Sequence, residues 1–86
     1  MYNLHMSKHV IKFVNSRTPK ERQRIKAAFE SLQNNPFQNQ LDIKKMKGMA
    51  NHYRLRIGDY RFLYEILHEQ VLIYLYKTDN RGDVYK

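Results

Sequence analysis

The sequence contains no cysteine, and only eight acidic residues stand against sixteen lysines and arginines. Without cysteine there is no disulfide framework of the kind that small secreted domains use to support a thin core, so a reducing cytoplasm is the expected setting. No apolar run approaches the roughly 20 residues of a membrane-spanning helix, and the opening MYNLHMSK lacks the apolar core of a signal peptide. Glycine occurs three times. Gly48 and Gly58 read as turn residues, and neither belongs to a glycine-rich phosphate loop. No Ser/His/Asp or Cys/His set is available for covalent catalysis, and there is no internal repeat or low-complexity segment. His5 and His9 have a helical metal-ligand spacing, but a strand-to-helix change is predicted between them, which argues against a metal site.

What is present is positive charge. The 86 residues carry a formal net charge of +8 and a pI near 9.9, a large excess for one small domain spanning 1–86. A chain of this length buries roughly 60–65 % of the surface its unfolded form exposes. Polyanions are the natural partners of such a surface: nucleic acid, or an acidic protein that masks it.

The periodicity of the chain predicts an α+β fold, with two N-terminal helices on one face of a small, mainly antiparallel, twisted sheet. Tyr2, Leu4 and Met6 alternate with polar residues as a short first strand, and Ser7 is placed to cap a helix running through Val14. In Thr18-Pro19-Lys20-Glu21 the threonine caps, the proline takes the first helical position and the glutamate completes a capping box. Ile25, Ala28, Phe29 and Leu32 then fall on one helical face, and Asn34-Asn35-Pro36 ends the helix. A short edge strand is expected around Leu41 to Met46. From Tyr53 the period changes to two, with strands on either side of Gly58-Asp59 and a further strand from Val71 to about Lys77.

A two-residue loop at 58 and 59 pairs Ile57 with Tyr60, Arg56 with Arg61, Leu55 with Phe62 and Arg54 with Leu63. Two arginines therefore stand directly opposite each other, an arrangement that disfavours a hairpin in which good cross-strand pairs contribute about 0.2–1 kcal/mol. Arg54 shares their face, while Leu55 and Phe62 point the other way. The planar guanidinium fork suits phosphate, so the patch reads as an anion site on the exposed sheet face. The bland alternative is that the side chains splay into water or pair with Glu65 or Asp59. A three-residue connection to the last strand places Lys77 opposite Arg61. Tyr60, Tyr64, Tyr74 and Tyr76 read as strand-packing residues.

The hairpin YRLRIGDYRFLYEI (53–66), the preceding MKG (46–48) and the ending NRGDVYK (80–86) together resemble the RelE/ParE toxin superfamily of bacterial toxin-antitoxin systems, over nearly the whole chain. The sequence is more similar to the RelE branch, whose members are ribosome-dependent endoribonucleases that cut mRNA in the A site and are held inactive by a cognate antitoxin. A ParE-like poison of DNA gyrase, without nuclease activity, is the alternative within the superfamily. The RelE resemblance implies a catalytic set of Arg54, Arg56, Arg61, Arg81 and Tyr85, with Lys47, His52 and Lys77 binding substrate. Arg61 is expected to stabilise the charge developing on phosphate, Arg81 to neutralise or protonate the leaving oxygen, and Tyr85 to stack on or orient a base. The RNA 2′-hydroxyl serves as nucleophile, with no metal or cofactor, and the implied partners are an acidic antitoxin and mRNA, not a membrane. The family often has lysine where this chain has Arg54 and Arg56. Arginine stays protonated in proteins and is a poor general base, so the proton acceptor has no owner among these residues; His52 and Lys77 are the candidates.

Overall fold

The computed structural model describes residues 1–38 and 40–79, together with the backbone alone at Asn80. Its elements run β1 (Asn3–Met6), α1 (Lys8–Asn15), α2 (Pro19–Asn34), β2 (Asp42–Lys45), β3 (His52–Ile57), β4 (Tyr60–Leu67), a short 3-10 turn (His68–Gln70) and β5 (Leu72–Asn80). The five strands form one sheet in the order β1-β5-β4-β3-β2, antiparallel except for the β1–β5 pair. This is the α+β architecture expected from the sequence.

Local chemistry fixes the helix ends. The Ser7 hydroxyl accepts from the Val10 N–H at 3.2 Å and starts α1. At the start of α2 the Thr18 hydroxyl accepts from the Glu21 N–H, and the Glu21 carboxylate accepts from the Thr18 N–H, so two otherwise orphaned donors are satisfied reciprocally. The helices then lay Val10, Val14, Ile25, Phe29 and Leu32 against one sheet face, where Leu55, Ile57, Phe62, Tyr64, Ile66, Ile73 and Leu75 meet them; all are buried. Phe62 is the centre of this contact, with the Phe29 ring edge-on at 5.1 Å and Phe13 at 5.9 Å.

The hairpin register is the one that the turn chemistry implies: Ile57 opposite Tyr60, Arg56 opposite Arg61, Leu55 opposite Phe62 and Arg54 opposite Leu63. Gly58 supplies the left-handed φ of +59° that a tight hairpin turn needs in its first central position. A second contact ties this turn to the helices. Tyr60 donates its hydroxyl proton to Glu21 Oε2 at 2.8 Å and accepts from Arg17 Nη1 at 3.0 Å, while the Arg17 guanidinium covers the Phe13 and Tyr60 rings.

The register of β5 departs from expectation. The expected three-residue connection would have set Lys77 opposite Arg61. Instead Leu67 pairs with Leu72, so the connection holds four residues, and Val71 adopts a left-handed φ of +49° to complete it. The ladder then shifts by one more residue, because Tyr64 faces Leu75 while Leu63 faces Lys77, which leaves Tyr76 as the extra residue of a β-bulge. Together the two shifts place Lys77 opposite Leu63 and Asp79 opposite Arg61. Among the described residues no helix is long and apolar enough to cross a membrane.

Candidate functional site

One sheet face is buried under the helices, and period-two alternation makes the other face the site. Two rows of side chains cross it. Across β2 to β5 the first row reads Asp42, Arg56, Arg61, Asp79, and the next reads Lys44, Arg54, Leu63, Lys77. The like-charged pair is thus real, but each arginine has an acidic neighbour on its outer side. Among the described residues no carboxylate forms an ion pair with Arg54 or Arg56; Glu65 instead lies 3.7 Å from His52 Nε2. Glu65 is therefore engaged elsewhere than with the arginines.

The cations converge on an open cleft of about 430 Å³ lined by Lys44, Lys45, Met46, Lys47, Arg54, Arg61, Leu63 and Asp79. Two lysines of β2, the following loop, and one arginine from each hairpin strand contribute the positive charge. Met46 and Leu63 supply apolar surface among them. Such a cleft concentrates positive potential over a volume that a nucleotide's phosphate and base can enter.

The structure brings Lys47, Arg54 and Arg61 together in this cleft, whereas Arg56 lines a separate depression with Asp42, Gly58 and Arg24. Arg56 is exposed and donates from Nε to the Gly58 carbonyl at 3.2 Å, which turns its head toward the hairpin turn. Lys77 is exposed on the same face but does not line the cleft. Arg81 and Tyr85 lie outside the described residues. Lys44, Lys45 and Asp79 were not singled out by the sequence reading. The run Lys44-Lys45-Met46-Lys47 was a visible basic cluster, but its place depended on the pairing of an edge strand.

His52 makes its contacts with Tyr76 and Glu65. Its Nδ1 lies 2.9 Å from the Tyr76 hydroxyl and its Nε2 lies 3.7 Å from Glu65 Oε2, with the His52 and Tyr76 rings edge to face at 5.5 Å. Burial, and secondarily the Glu65 charge, raises the Tyr76 phenol above its ordinary pKa, so this hydroxyl stays protonated and serves as a donor. The Tyr76 hydroxyl also donates toward Met46 Sδ at 3.8 Å, so the direction of its bond with Nδ1 follows the tautomer of His52. His52 does not line the cleft. His5 and His9 are likewise dispersed: His5 lies against the Tyr74 ring, and His9 Nε2 is 3.0 Å from the Thr78 hydroxyl.

Comparison with known proteins places this geometry in context. A family model described as the ParE toxin of the type II toxin-antitoxin system parDE matches residues 7–85. RelE1 of Methanocaldococcus jannaschii, described as a toxin, is 33 % identical over 86 residues, covering 99 % of this chain and 96 % of its own. The archaeal RelE-RelB complex of Pyrococcus horikoshii OT3 superposes with a TM-score of 0.83 at 27 % identity, covering 94 % of this chain and 96 % of that one. The RelB-RelE complex of Methanococcus jannaschii gives 0.75 at 32 % identity, with 95 % of each chain covered. The isolated E. coli RelE toxin shares the fold, with a TM-score of 0.78 at 18 % identity over 93 % of this chain and 84 % of that one.

Proposed function

Because the chain belongs to the ParE toxin family of type II toxin-antitoxin systems, within the RelE/ParE superfamily, we propose that this toxin is an endoribonuclease that cleaves mRNA in the ribosomal A site. The observation that carries this reading is the cleft in which Arg54 and Arg61 meet Lys44, Lys45 and Lys47 on the open sheet face. A phosphodiester seated there is surrounded by fixed positive charge, and charge gained by its oxygens during attack by the neighbouring 2′-hydroxyl is stabilised by donors that need no reorganisation. The nucleophile comes from the RNA itself, so the reaction is proposed to run without a metal. Arg61 stands closest to this role, because the hairpin register holds it beside Arg56 despite the cost of the like-charge contact. Arg54 and Arg56 add to the field, Lys47 and Lys77 hold the flanking backbone, and Arg81 and Tyr85 are assigned to the leaving oxygen and a base.

The partner is proposed to be an acidic antitoxin whose charge complements the +8 surface. Antitoxin-bound relatives of this fold, the P. horikoshii and M. jannaschii complexes, support that assignment. A cytoplasmic location follows from ribosomal action.

A second reading, poisoning of DNA gyrase without nuclease activity, is favoured by the ParE description of the matching family. Primer-extension mapping after induction separates the two. Breaks within mRNA over intact DNA, abolished by Arg61→Ala, are expected. DNA damage with intact transcripts, or full toxicity of the Arg61→Ala protein, overturns the nuclease reading.

A further inference from the structure

A nuclease that uses a 2′-hydroxyl needs a group to take its proton, and the expected basic residues do not supply one. Arg54, Arg56 and Arg61 offer donors and no acceptor, as any guanidinium does. His52, whose Nδ1 lies 2.9 Å from the Tyr76 hydroxyl, and Lys77 do not line the cleft.

Asp79 is the one acidic residue among the described residues that line the cleft. A negative charge there opposes phosphate binding, so its presence calls for a separate explanation. Its position is the product of the bulge at Tyr76. Without that extra residue Thr78 would stand opposite Arg61 on the open face; with it, Thr78 turns into the core and Asp79 takes its place. Bulges are a common device for re-aiming a side chain beside an active site. The obvious alternative is that Asp79 serves as counter-ion to an arginine. Among the described residues, however, no ion pair joins its carboxylate to Lys44, Lys45, Lys47 or Arg54. Lys44, Lys45 and Lys47 face it from β2 and the following loop, Arg54 from β3 and Arg61 from β4.

We propose that Asp79 is the proton acceptor for the attacking 2′-hydroxyl, an inference that rests on the endoribonuclease reading above. As the O2′–P bond forms, the hydroxyl proton passes to an Asp79 carboxylate oxygen, and the arginines hold the charge on the non-bridging oxygens. The P–O5′ bond then breaks, and the departing 5′-oxygen takes a proton from solvent. The products are a 2′,3′-cyclic phosphate and a 5′-hydroxyl, and Asp79 returns its proton to water.

The test is single-turnover cleavage of a short mRNA on programmed ribosomes by the wild-type toxin, Asp79→Asn and Asp79→Glu, each checked for folding by circular dichroism. The amide is isosteric and still accepts hydrogen bonds, so it preserves packing while it removes basicity. Asp79→Asn is expected to cut by about 100-fold or more slowly, with mRNA binding unchanged or tighter. Its residual rate should rise roughly tenfold per pH unit as hydroxide replaces the carboxylate, and Asp79→Glu should recover part of the loss. Cleavage by Asp79→Asn at about the wild-type rate overturns the proposal. So does weakened binding with the wild-type pH profile, which would make Asp79 a group that only positions its cationic neighbours. A wild-type protein that leaves RNA intact overturns the endoribonuclease reading itself, and the inference with it.

Discussion

The turn that creates the arginine pair depends on one backbone angle, and Gly58→Ala tests that dependence. Gly58 has φ of +59°, and a left-handed conformation costs an L-residue roughly 1–2 kcal/mol. An added Cβ would also meet Arg24, at 3.1 Å from Nη1 and 3.6 Å from Cζ. This second contact should be cheap, because Arg24 is exposed and the atoms approached are the free end of a long side chain. Gly48 is the internal control: its φ is +78°, and an added Cβ has nothing within 4 Å. Both alanine variants should therefore lose about 1–2 kcal/mol, and they should agree within about 0.5 kcal/mol. For a domain of this size each kcal/mol corresponds to a fall of roughly 4–8 °C in Tm. Urea denaturation followed by circular dichroism measures both. An unchanged midpoint for Gly58→Ala would show that the turn does not hold this geometry. A loss well beyond that of Gly48→Ala would show that the Arg24 head is pinned over the turn.

Two further substitutions probe the contacts that hold the sheet to the helices. The Tyr60 hydroxyl, followed by the Thr18 N–H, holds the Glu21 carboxyl below its ordinary pKa; its stabilisation is therefore complete above the normal carboxylate range and fades as pH falls through the folded-state value. Denaturation midpoints at neutral and acid pH should converge in Glu21→Gln, and an equal acid loss in both proteins would count against this linkage. Tyr64 is buried and donates to the Pro36 carbonyl at 3.3 Å, so Tyr64→Phe should cost about 1–2 kcal/mol by leaving that acceptor unpaired. Burial raises the Tyr64 phenol pKa, so its contribution is intact below the unfolded value of about 10 and is lost as pH rises beyond it. Alkaline titration of stability should accordingly be shallower in Tyr64→Phe than in the wild type.

Elements governed by local chemistry were legible in the sequence. The Thr18 to Glu21 capping box, the Asn34-Asn35-Pro36 stop and the Gly58-Asp59 turn each depend on neighbours within four residues, and the structure has all three. The register of β5 was not legible. It was displaced twice, by a left-handed Val71 that lengthened the connection and by the bulge at Tyr76. Neither residue type announces such a role, since valine disfavours positive φ and a tyrosine suits a regular strand. The misplacement of Lys77, and the absence of Asp79 from the expected site, both follow from those two residues. Lys44 and Lys45 escaped notice for a related reason, because an edge strand pairs on one side only and its alternation is weak.

Alternation on the hairpin ties folding and site together. Leu55 and Phe62 are fully buried, and they lie between Arg54, Arg56 and Arg61 along the same two strands. A slip of one residue would bring guanidinium groups into the core and leucine into the cleft, so burial of the apolar set enforces the crowding of the cations. The repulsion within that patch is at most of order 1 kcal/mol, whereas truncating a buried residue such as Phe62 costs roughly 3–5 kcal/mol. The core therefore wins, and it holds positive charge in place before any anion arrives. The polar ends of the row, Asp42 and Asp79, temper that charge without closing over it. The energy that keeps the arginines together is thus supplied by the opposite face of the sheet.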